Sequence, residues 1–90
     1  MESGLFERWL DMERATGRTM EIILEDLNAA CGTKYQYTWP HVMKARGYGL
    51  ERLPTKVRRY MMSRVLPLEL DSLGLKLSPE KIFALVVNLT

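Results

Sequence analysis

Residues 20–31, MEIILEDLNAAC, constrain the fold more than any other stretch. Met20, Ile23, Leu24, Leu27 and Ala30 recur at three- and four-residue intervals, and Glu21, Glu25 and Asp26 take the opposite side. That is the period of a helix with one dry face, and not the alternation of a strand. Thr19 stands where a hydroxyl can accept a first-turn amide, and Gly32 where a helix can end left-handed. The period repeats upstream over 2–15, where Leu5 and Trp9, then Phe6 and Leu10, share a face opposite Glu7, Arg8 and Arg14. TGRT separates the two helices, with Gly17 as the stop. An apolar stripe must be buried against another element, so the chain is expected to be mainly α: a compact bundle of about five short helices. At 90 residues it makes a single domain, 1–90.

Three further elements follow. TWPHVMKARG predicts a short helix capped by Thr38, with Pro40 in the first turn, where no amide is needed. Trp39, Val42 and Met43 are assigned to its inner side, with Ala45, and Gly47 closes it. LPTKVRRYMMSRVL predicts a helix burying Leu53, Val57, Tyr60, Met61 and Val65. Pro67 is expected to end it, and the leucines spaced by two over 66–77 point to a short extended segment or a loose connection. SPEKIFALVVNLT opens on Ser78 as cap and Pro79 in the first turn. Its apolar residues run round nearly the whole helix, so 79–89 must be buried in the core or against another copy.

The charge is unevenly divided. The formal net charge is only +2, yet residues 1–33 carry −4, residues 34–64 carry +7 and residues 65–90 carry −1. A basic block of this kind makes a local field for an anionic partner. Catalytic chemistry has little to stand on. His41 is the sole histidine and Cys31 the sole cysteine, which leaves no ligand set for a metal and assigns the thiol to a small apolar position beside a buried stripe. Neither kind of phosphate-binding glycine loop occurs, and the acids Glu7, Asp11, Glu21, Glu25 and Asp26 belong to wet faces. The chain is therefore expected to be no enzyme and to need no cofactor. One cysteine excludes an internal disulfide and fits the cytoplasm. No apolar run is long enough to span a membrane, and the acidic start is not that of a signal peptide.

Binding chemistry is better represented. An acidic helix, a glycine, a short connection and a helix rich in hydrogen-bonding side chains is the order of a helix-turn-helix, here over about 19–65. Lys34, Tyr35, Gln36, Tyr37, Thr38, His41, Lys44 and Arg46 are its candidate nucleic-acid contacts, and Arg52, Lys56 and Arg59 extend the basic surface. Tyr35 and Tyr37 are expected to be exposed; Trp39, Tyr48 and Tyr60 are assigned to the core. Gln and Arg suit base edges, whereas Lys, Thr and Tyr suit phosphate oxygens.

The span from about Met20 to Val65 resembles the lambda-repressor-like helix-turn-helix regulators of phages and plasmids. LEDLNAACG stands for the bracing helix, TWPHVMKARG for the recognition helix and GLERLPTKVRRYMMSRVL for the core helix that follows. The resemblance implies a small repressor that occludes promoters by binding double-stranded DNA as a dimer, with half-sites roughly 34 Å apart. The apolar helix at 79–89 is the natural dimer element by its composition. The alternative is a small inhibitor or adaptor that docks its basic strip on an acidic protein partner.

Overall fold

The computed structural model describes residues 4–45 and 53–90, and every structural statement below refers to these. Five helices follow one another: α1 Leu5–Ala15, α2 Met20–Cys31, α3 Trp39–Ala45, α4 Thr55–Ser72 and α5 Pro79–Leu89. The chain is mainly α, as its periodicity requires.

Helix boundaries follow local chemistry. The Thr19 hydroxyl accepts the Ile22 amide at 3.3 Å, and α2 ends where Gly32 takes φ 67° and donates to the Asn28 carbonyl. The Ser78 hydroxyl accepts the Lys81 amide at the start of α5. Gly17, at φ 82°, follows the last residues of α1 as expected. That helix begins at Leu5 with Gly4 as its extended N-cap, and of the expected span residues 2 and 3 lie outside the described part.

The expected end of α4 is wrong. The helix runs through Pro67 to Ser72, so 66–72 is helical and the described residues 73–78 add a turn and an irregular connection rather than a strand. Proline removes the amide that the Ser63 carbonyl would have accepted. Ser63 is exposed, so water can serve that carbonyl. The second half of α4 is also held from outside, because Arg8 of α1 donates to both carboxylate oxygens of Glu69 at 3.0 and 2.7 Å. The real stop is Gly74 at φ 76°, with the Leu75 amide reaching back to the Leu70 carbonyl.

Helix α4 is the centre of the packing: its principal neighbours are α1, α2 and α5. The core joins Phe6, Trp9 and Leu10 of α1 to Ile23, Leu24, Leu27 and Cys31 of α2, with Met43 of α3 and Val57, Met61 and Val65 of α4. Trp9, Ile23, Leu27, Val57 and Met61 are fully buried, each worth about 1.5–3 kcal/mol relative to exposure. Ala30 is exposed, and Cys31 takes the last buried position of α2.

One charge is inside this core. The Glu13 side chain is 0% exposed, and it accepts Arg64 Nε at 3.2 Å, Arg64 Nη2 at 2.7 Å and Arg18 Nη1 at 3.3 Å. Arg18 also pairs with Asp26, tying the end of α1 to α2. Donating to the Glu13 carboxylate, the Arg64 guanidinium holds its proton more firmly than usual. The charge of Arg64 is thus spent on Glu13 and taken out of the basic block, although its side chain stays 40% exposed.

Helix α5 does not enter the core. Only Val86 is buried, and Phe83 is 69%, Leu89 59% and Val87 37% exposed. It packs antiparallel on α4. Arg58 and Arg59 at the start of α4 donate to the Thr90 carbonyl and hydroxyl, while Ile82 near the start of α5 shares a cleft with Pro67 and Leu70.

Candidate nucleic-acid interface

The connection between α2 and α3 is held from beneath. Asn28, one turn from the end of α2, accepts the Thr33 hydroxyl at 2.7 Å and the Tyr35 amide at 3.0 Å through Oδ1. Its Nδ2 donates to the Tyr35 carbonyl at 2.8 Å. The Tyr35 ring lies flat on Trp39 with centroids 3.8 Å apart, and Trp39 meets Phe6 of α1 edge to face at 5.0 Å. This series of contacts runs from α2 through the loop to α1, and it fixes where the loop tip stands. The Thr38 carbonyl accepts the His41 and Val42 amides, so α3 begins there as its sequence requires.

Three expectations are corrected here. Tyr35 is not an exposed contact residue; it is half-buried, stacked on Trp39 and packed against the core. Val42 points outward at 45% exposure, and Ala45 is exposed too, while Pro40 and Met43 are buried. With Trp39 and Pro40 placed inward, the inner stripe of α3 is 39, 40 and 43, one register away from Val42. Nor is α2 the principal brace of α3, which reaches the core through Trp39 on α1 and through Met43.

The remaining candidates divide into two groups. Lys34, Gln36, Tyr37 and Thr38 are exposed on the tip, Tyr37 at 58%, and His41 and Lys44 are exposed on α3. His41 and Lys44 border a shallow cleft of about 150 Å³ shared with Asp11 and Arg14 of α1. Between Asp26 and Glu51 the chain has no acid at all. Lys56 and Arg59 belong elsewhere. They are exposed on α4 and border a groove of about 440 Å³ between α2, α4 and α5, whose other walls include Ala30, Tyr60, Phe83 and Val86. Arg46, Arg52, Gly47 and Tyr48 lie outside the described residues.

Titration follows burial. Desolvation pushes the Cys31 thiol up, partly opposed by Lys56, whose carbonyl accepts the thiol at 3.6 Å. The Tyr60 phenol is also raised, first by burial and then by the Glu13 carboxylate. Neither group has the lowered value of an activated nucleophile.

Two structural residues are missed by a reading that assigns acids and amides to wet faces. Glu13 can be placed by its register, since it follows Trp9 by four and so continues the buried stripe of α1. Asn28 carries no comparable signal, because its three bonds depend on where the loop folds back. No match was found for this chain among protein-family models, among characterised proteins or, for its fold, among solved structures.

Proposed function

We propose that this protein binds double-stranded DNA through the surface formed by Lys34, Gln36, Tyr37, Thr38, His41 and Lys44, and represses transcription by occluding a promoter. The observation that carries this is the fastened loop between α2 and α3. Asn28 and the Tyr35–Trp39 stack hold its tip in place, and every side chain it offers to solvent over 34–44 is neutral or basic. A pre-positioned tip loses little entropy on binding, and amide, hydroxyl and ammonium groups suit base edges and phosphates.

The test is a duplex shift measured over a salt series. Log Kd is expected to rise by about 0.9 per log unit of salt for each phosphate neutralised, and Lys34→Glu with Lys44→Glu to remove about 1.8 of that slope. Helical circular dichroism checks that the fold survives. Selection of bound genomic fragments would identify the operator in the same material.

Docking of this basic surface on an acidic protein is the second reading, favoured by the absence of any acid between Asp26 and Glu51, with Lys34 and Lys44 both exposed. Absence of any duplex shift near 50 mM salt turns the assignment to that class.

A further inference from the structure

The α5 face has the pattern of a helix made for another helix. Glu80, Phe83, Ala84 and Val87 follow at three- and four-residue intervals, and all four are exposed. One large residue adjoins one small residue, the pairing that lets two helices approach closely. Beside this face lies the groove over α4, apolar along Ala30, Tyr60 and Val86 and cationic at Lys56 and Arg59. Because α5 runs antiparallel to α4, those cations lie toward the C-terminal end of α5, where Arg59 Nε reaches the Thr90 hydroxyl at 3.3 Å.

We propose that the occupant of this groove is a second copy of the chain, with the two α5 helices antiparallel across a two-fold axis and each seated on the other's α4. An antiparallel pairing centred between residues 83 and 84 sets Phe83 against the partner's Ala84, and does so twice. It sets Glu80 against the partner's Val87, one turn from the partner's Arg59. The groove thus receives an anion where it holds cations, and the helix that supplies it has Glu80 as its one acid. Two-fold pairing also closes, as a face of this kind must if it is not to build filaments. The same arrangement removes from water Phe83, at 69% exposure, and Val87 beside it, two apolar side chains that the described residues of the single chain leave uncovered.

Size exclusion with light scattering, on the full chain at tens of micromolar, is expected to give about 21 kDa, twice the 10.5 kDa of one chain. Phe83→Glu should weaken the dimer by about 100-fold or more, as loss of a central aromatic anchor does. Ala84→Cys in a Cys31→Ser background should form a disulfide-linked dimer on mild oxidation, and Ala29→Cys on α2 should not. Glu80→Arg and Arg59→Glu should each weaken the dimer, and together restore it. A monomeric mass for the wild type overturns the proposal; so does a dimer unaffected by Phe83→Glu, or one cross-linked as readily through residue 29. Mass and cross-linking read α5 alone, so this inference and the DNA-binding proposal fail separately.

Discussion

Replacing Arg64 with methionine should destabilise the protein more than replacing its partner Glu13 with glutamine, and the difference can be worked from the geometry. Glu13 has no exposure of its own, so its carboxylate depends on Arg64 at 2.7 and 3.2 Å and on Arg18 at 3.3 Å. Removing one partner of a buried ion pair costs about 3–5 kcal/mol, because the other charge stays behind without water. Arg18 remains in Arg64→Met, which places the expected cost near the lower end, at about 3 kcal/mol. Glu13→Gln leaves a different situation. The stranded group is then Arg64, 40% exposed and able to turn to solvent, so about 1–2 kcal/mol is expected. The double variant should cost less than the sum, with a coupling of about 1 kcal/mol or more. Urea midpoints at unchanged m measure all three, and about 4–8 °C in Tm per kcal/mol gives an independent check for a domain of this size. If Arg64→Met costs no more than Glu13→Gln, the carboxylate is hydrated in solution and the asymmetry is wrong.

Other expectations follow from the same structure. Asn28→Asp keeps the acceptor for the Thr33 hydroxyl and Tyr35 amide but cannot donate to the Tyr35 carbonyl; it should cost about 1 kcal/mol and Asn28→Ala about 2, with faster exchange of the Tyr35 amide. Unchanged exchange in Asn28→Ala would show that the loop is held by the Trp39 stack alone. Pro67→Ala restores an amide to the interior of α4 and should stabilise by about 1–3 kcal/mol in urea titration; a loss would mean that the proline is needed to seat α5. Cys31 should react with a disulfide reagent far more slowly in the folded than in the unfolded protein at pH 8. Burial raises its folded value, so the unfolded chain ionises first. Stability from this group is therefore complete below the unfolded value and lost as pH climbs from there through the folded value; Cys31→Ala should flatten that alkaline decline.

Much of the helix architecture is legible in the residues themselves. The span of α2 follows from its period with Thr19 and Gly32, and the start of α5 follows from Ser78 and Pro79. These are local interactions, made by side chains within one turn of the backbone they satisfy. The passage of α4 through Pro67 is not local. Proline is a helix stop when nothing else holds the chain, and here Glu69 is anchored to Arg8, 61 positions away. Leucines spaced by two over 66–77 looked like extended chain because alternation and a partly buried helix leave similar traces over so few residues.

The candidate interface divides along the same line. Exposure of Lys34, Gln36, Tyr37, His41 and Lys44 could be anticipated from polarity. Tyr35 could not, because its place is set by Trp39 and Asn28 together, nor could the loss of Arg64 to Glu13. The sequence alone determined five helical segments, most of their caps and a basic block in the middle of the chain, since each is written in neighbours three or four residues apart. Tertiary structure decided which cations face solvent, which proline is tolerated and which apolar helix is left uncovered. Those outcomes depend on partners distant in sequence, and no local pattern records the distance between them.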